Sequence, residues 1–207
     1  MTFSTDSLGA KKMGNFIYIA GSFETVNRSE CGRGKASIDN DPHFWSSPPT
    51  WGICRNDLRR KLDVGNYIFF VLPKNGKHSQ MIFSYIRAEE KISHIDAYHR
   101  SQLVSKRMGN KNPNGNIIVD ARGKYNPFDA GAHKHSFNKI KQEYVIGKQG
   151  TSKFLSVKKI ESLAPYFVSK LSEITGKRGT RTIEIISRYG LELSVSQVQQ
   201  LISWIGT

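Results

Sequence analysis

At 207 residues the chain has room for one large domain, or one domain with a small appendage, and its 38% hydrophobic content without a low-complexity tract excludes wholesale disorder. Lys and Arg number 31 against 17 Asp and Glu, a formal net charge of +14 spread along the chain, which favours a nucleic acid first and an anionic membrane surface second. Two cysteines, Cys31 and Cys54, exclude a disulfide framework, and no run approaches the roughly 20 apolar residues of a membrane span, so the expectation is a cytoplasmic protein with reduced thiols and no membrane partner.

Residues 1–14 are polar and basic and read as a flexible N-terminus. Phe16 to Ala20 is apolar and aromatic, a first strand. Residues 21–49 form a long Gly- and Pro-containing stretch in which Phe44 and Trp45 either clamp a flipped nucleotide or cover a core edge. Trp51 to Leu72 then couples a basic turn to a core strand. Asp57 to Lys61 forms one helical turn, Asp63 to Asn66 a chain reversal, and Tyr67 to Leu72 a buried strand. Lys74, Asn75, Gly76 and Lys77 make a hairpin signal toward a second, antiparallel strand from Met81 to Ile86. Ala88 to Tyr98 reads as a strand end followed by a short helix. Ser101 to Gly115 reads as an exposed basic loop, Asn116 to Val119 as a short strand, and Tyr144 to Ile146 as another.

From Val157 the pattern becomes helical, with Ile160, Leu163, Phe167 and Leu171 at helical spacing. Gly190 breaks the next segment, and Ser194 caps a last helix through Val198, Leu201 and Trp204. These helices either pack on the sheet or form a helix-turn-helix whose Gln197, Gln199 and Gln200 read base edges. The expected fold is α+β: a central, mostly antiparallel sheet, with a barrel-like form as one option, long loops and a small C-terminal helical element. The expected division is a β-rich nucleic-acid domain over residues 15–156 and the helical element over 157–207.

Three constellations carry chemistry. Asp120, Asp129 and His133 are candidate catalytic residues, because carboxylates at a strand end can activate water or stabilise a cationic sugar. Within the same stretch Tyr125 can stack a base and Lys124 can grip a phosphate; the alternative is a structured loop of Asx-turns. Arg55, Arg59, Arg60, Lys61, Lys106, Arg107, Lys177, Arg178 and Arg181 are further candidate phosphate contacts, and Phe44, Trp45 and Trp51 further stacking rings. Tyr98 and His99 read as surface. His133 and His135 lie two apart without a carboxylate or cysteine at a familiar ligand spacing, so no metal is expected, and no phosphate-binding or nucleophile motif implies a cofactor.

Trp51-Gly-Ile-Cys54, Leu58-Arg-Arg60, Val64-Gly-Asn-Tyr-Ile68 and Glu90-Lys-Ile92, with Asn116-Ile-Ile-Val-Asp120 and Gly123-Lys-Tyr125, resemble the nucleotide modification associated domain 2 family over residues 16–150. Asn66 stands where the family has Asp, and Asp39-Asn-Asp41-Pro42 is the counterpart of its acidic loop. The resemblance implies a β-rich domain linked to modified bases in DNA and to contests between bacteria and phage. A barrel of the PUA or EVE type, closing a loop over a modified base, is the related expectation. The leading functional expectation is a DNA glycosylase that flips and excises a modified base. The alternatives are a non-catalytic reader of modified bases and a helix-turn-helix regulator.

Overall fold

A computed structural model of the chain describes residues 14–20, 41–72, 80–110, 112–129 and 131–206. The expectations for the N-terminus up to residue 13, the loop from 21 to 40, Cys31 and the Lys74 to Lys77 turn fall outside these residues.

Two apolar runs make the centre of the sheet: β1 (Asn15–Ile19) and β3 (Tyr67–Val71) pair in parallel, with Tyr18 opposite Phe70. β4 (Ile82–Ile92) runs antiparallel to β3, as the turn signal between them predicts. A register shift between Ala88 and Glu90 bends β4, and its far half pairs with β5 (Tyr144–Gly147). Two-residue strands complete this side: β2 (Thr50–Trp51) pairs with β5, and β6 (Lys153–Phe154) with β4. β7 (Leu191–Leu193) borders β1. The order β2-β5-β4-β3-β1-β7 leaves β2 and β7 at opposite edges, so the α+β fold has an open mixed sheet and not a barrel. Both edges are too short to carry a closing ladder.

Strand alternation divides the side chains of the sheet. Phe16, Tyr18, Phe70 and Ser84 share one face, and Ile17, Phe69 and Tyr85 share the other. α1 (Asn56–Lys61) follows β2, and α2 (His94–His99) is capped by Ser93, whose hydroxyl accepts the Asp96 N–H. α3 (Phe137–Ile140) leads into β5. The C-terminal segment supplies α4 (Val157–Leu163), α5 (Phe167–Thr175), α6 (Thr182–Ile186) and α7 (Val195–Gly206). Ser194 caps α7 as predicted, its hydroxyl accepting the Gln197 N–H while the Gln197 side chain accepts the Ser194 N–H.

Phe167, Leu171, Ile185, Leu201 and Ile205 join the sheet residues in one core, where Phe167 stacks on Trp204 with centroids 6.2 Å apart. Between α6 and α7 the chain adds β7 to the sheet, so this stretch is not the plain turn of a helix-turn-helix. Two further expectations change. Ser101–Lys106 is a 3-10 helix with Leu103 and Lys106 buried, not an exposed loop. Asn116 to Val119 forms isolated bridges in place of a strand, because its backbone partners are dispersed: Ile117 N–H bonds Lys106 O, and Ile118 N–H faces the His94 ring. Among the described residues no helix is long and apolar enough to cross a membrane.

Candidate functional site

The segment from Asp41 to Arg55 is pinned to the sheet by buried polar groups. The Asp41 carboxylate accepts the backbone N–H groups of Gly52 at 2.6 Å, Ile53 at 2.8 Å and Cys54 at 2.5 Å. Asn116 Nδ2 adds a fourth bond at 3.1 Å, and Asn116 Oδ1 accepts the hydroxyls of Tyr144 at 2.6 Å and Thr50 at 3.2 Å. Burial pushes the Asp41 carboxyl up, against the pull of the Arg59 guanidinium and the three N–H groups. His94 Nε2 lies 2.7 Å from Gly52 O and Nδ1 lies 3.4 Å from Ile118 N, which assigns the proton to Nε2. Burial, then the nearby Arg59, lowers His94 to about 3, so its ring is neutral. Sequence reasoning left His94 and Tyr144 out of the site altogether, and Asn116 entered only as part of a resemblance motif. Asp41 entered only through the acidic-loop resemblance, since partners 11 to 75 residues distant leave no local spacing.

This network holds Trp51 over the sheet. Its ring stacks on Tyr18 with centroids 5.7 Å apart and meets Phe70 edge-on at 5.4 Å. The aromatic row continues through Phe83 and Phe154 to Phe44 and Trp45, which pack on Phe154 at 5.6 and 5.3 Å. Ser84 sits opposite both Phe70 and Phe154. Among the described residues, five buried side-chain N or O atoms have no hydrogen-bond partner, and four line this row: Tyr18 Oη, Trp51 Nε1, Ser84 Oγ and Trp45 Nε1. Burial pushes the Tyr18 phenol well above its ordinary value. Arg55 lies 5.4 Å above the Tyr18 ring, and Arg59 lies 5.8 Å from the Trp51 ring.

The candidate catalytic residues divide. Asp129 and His133 come together: His133 Nδ1 lies 3.0 Å from Asp129 Oδ1, and the Tyr125 hydroxyl donates to Asp129 Oδ2. Burial raises the Asp129 carboxyl, but the bonds from His133 and Tyr125 outweigh it and hold the group below its ordinary value. Tyr125 is pushed up to about 12 by burial and then by Asp129. Its ring meets Phe137 edge-on beside the small core of Ile53, Ile118 and Ile140, apart from the main core that contains Trp51. Asp120 is separate from this pair; its carboxylate accepts the N–H groups of Arg122 and Lys124, both at 2.8 Å, and so forms a local turn.

Among the candidate phosphate contacts, Arg60, Lys61, Lys124, Lys177, Arg178 and Arg181 are exposed. Arg181 pairs with Glu184 at 2.6 Å. Three expectations change because the side chains are wholly buried. Arg59 donates to the carbonyls of Cys54, Glu143 and Ile140 and serves the core, and Trp51 has no face open to solvent. Lys106 Nζ binds Ser46 O at 2.5 Å and His43 Nδ1 at 3.0 Å, and burial lowers it to about 7. Arg107 is half-buried, its guanidinium 4.5 Å over Tyr98 and bonded to Tyr98 O. Among the described residues no group of three His, Cys, Asp or Glu side chains is placed to hold a metal ion. Comparisons with protein-family models, with curated proteins and with solved structures find no match, so the resemblance to the modified-base family rests on its motif residues alone.

Proposed function

We propose that the protein is a reader of modified nucleobases in DNA, as the resemblance to the nucleotide modification associated domain 2 family implies. The observation that carries this reading is the set of four buried, unpartnered polar atoms along one aromatic row. Each such atom costs about 1–3 kcal/mol when no partner meets it, and together they rival the net stability of a domain, roughly 5–15 kcal/mol. A ligand that meets them offsets that cost. The indole N–H groups of Trp45 and Trp51 only donate, so it must present acceptors; the hydroxyls of Tyr18 and Ser84 both donate and accept. A flat heterocycle with carbonyl, ring-nitrogen and amino groups has this complement, and the half-buried rings of Phe44 and Trp45 at the end of the row add about 1–3 kcal/mol of stacking per base. The net charge of +14 supports a polyanionic carrier of that base.

Recognition fits this row better than excision does. Asp41, whose charge acts on Tyr18 of the row, already accepts four hydrogen bonds and so has little capacity left to activate water. The Asp129 and His133 pair favours the second reading, a glycosylase, but belongs to a different apolar cluster.

Duplex DNA with and without modified cytosines tests the reading by retention and by assay for abasic sites. The expected result is tighter retention of the modified duplex and no abasic sites. The Tyr18→Phe and Ser84→Ala variants keep their urea midpoints, because they lose no hydrogen bond, yet lose the preference. Equal retention by wild type and both variants would overturn the reader, and abasic sites that vanish in Asp129→Asn would establish the glycosylase.

A further inference from the structure

Among the described residues only two non-glycine residues have positive φ, Arg55 and Ser187, and the Arg55 side chain reaches the two residues that follow Ser187. Arg55 opens α1 in the left-handed conformation with φ 50° and ψ 55°. Ser187 ends α6 with φ 68° and ψ 167°, a region that is almost exclusive to glycine. The Arg55 guanidinium joins the two places. It donates to Tyr189 O at 2.5 Å and to Arg188 O at 3.5 Å, while Asp57 holds it from the other side at 2.8 and 2.9 Å. The same guanidinium covers the Tyr18 ring. Gly190 completes the clamp with φ 89°: a Cβ there would lie 3.2 Å from Ile17 O, 3.2 Å from Tyr18 Cβ and 3.3 Å from Leu58 Cδ1. Strained backbone of this kind persists where the surroundings over-determine it, and it concentrates at functional sites.

What the clamp presents is not core. Tyr189 is 75% exposed and Arg188 is exposed, at the margin of the aromatic row that begins with Tyr18. Arg60 and Lys61, both exposed, lie in the last turn of the six-residue α1 that Arg55 opens. An exposed ring on a pinned backbone turn, next to the exposed Arg188, matches a nucleic-acid strand, in which bases stack on the ring and phosphates meet the cations.

We propose that the Ser187 to Gly190 turn is the strand-contacting element: Tyr189 stacks on a base neighbouring the one bound, and Arg188, Arg60 and Lys61 take the flanking phosphates. The partner is single-stranded DNA, or a duplex opened at the modified base. This rests on the reader reading above, and Arg55 acts in it as the positioning residue.

Two measurements separate the levels. Fluorescence anisotropy of a labelled single-stranded oligonucleotide, with and without a modified cytosine, reads the strand contact; tryptophan quenching by the free modified nucleoside reads the aromatic row. Tyr189→Ala is expected to weaken both oligonucleotides about tenfold, within the range of a lost stacking contact, while nucleoside quenching stays within about twofold. Arg188→Ala is expected to lower the salt dependence of oligonucleotide binding by about one phosphate contact. If Tyr189→Ala and Arg188→Ala both bind the oligonucleotides like wild type while the modified-base preference persists, the turn is not the contact and the reader stands. If Tyr189→Ala weakens the oligonucleotides but wild type shows neither nucleoside quenching nor preference, the turn stands and the reader fails. Wild type that binds no oligonucleotide overturns both.

Discussion

Protonation of His94 is a sharp test of the buried network. In the fold His94 is neutral, with Nε2–H donating to Gly52 O and Nδ1 facing the Ile118 N–H. A second proton would set two donors against each other beside the buried Arg59 guanidinium. The group titrates at about 3 in the fold against 6.5 for an ordinary histidine. Between those values the unfolded chain carries the extra proton and the fold does not, so stability is present above pH 6.5 and falls as pH drops toward 3. The slope is about 1.4 kcal/mol per pH unit for one proton, or about 2 kcal/mol between pH 6.5 and pH 5. His43, also lowered to about 3 by burial and then by Lys106, adds a similar slope. Asp41 acts oppositely, since its raised carboxyl takes up a proton earlier in the fold. Both contributions remain when His94 alone is changed. In His94→Gln the side-chain amide keeps a donor for Gly52 O and removes the titration. Urea unfolding at about pH 7 and pH 5, followed by tryptophan fluorescence, gives the comparison. The variant starts less stable, by about 1–3 kcal/mol for the Ile118 N–H it leaves unmet, but loses about 2 kcal/mol less than wild type on acidification. An equal loss in the two proteins would refute the assignment of a neutral, buried His94.

Asp41→Ala strips the acceptor from three backbone N–H groups and Asn116 and is expected to cost about 3–5 kcal/mol, whereas Asp120→Ala, on a half-exposed turn, costs roughly 1 kcal/mol. Urea midpoints of the two variants decide it, and similar values would remove Asp41 from the centre of the network. Gly52→Ala would place a Cβ 2.5 Å from the Tyr144 ring and 2.8 Å from Asn116 O, so an overpacking loss of about 1–3 kcal/mol is expected in thermal melts; an unchanged melt would contradict this packing.

Local pattern made much of the fold legible. The apolar runs of β1, β3 and β4, the antiparallel pairing of β3 with β4, the helical spacing after Val157 and the Ser194 cap all appear where the sequence places them. These features depend on neighbours a few residues away, and so does the Asx-turn of Asp120, the alternative reading of that loop. The resemblance pointed to Asp41, and the short stretch from Tyr125 to His133 brought Asp129 and His133 together as candidates.

What sequence alone did not decide lies in contacts between distant segments. The six-residue α1 carries Arg59 inward to three carbonyls and Arg60 outward to solvent, although the two are adjacent cations of one basic cluster. Lys106 reads as an exposed cation and is buried, because a carbonyl and a ring nitrogen near residue 45 meet its ammonium group. The edge of the sheet also depended on tertiary pairing: β7, inside a segment read as helical, pairs with β1. Charge and periodicity specify which residues can face water or core. Only the paths of segments brought together in the fold determine which polar groups find partners, and which of them, on the row from Tyr18 to Trp45, find none.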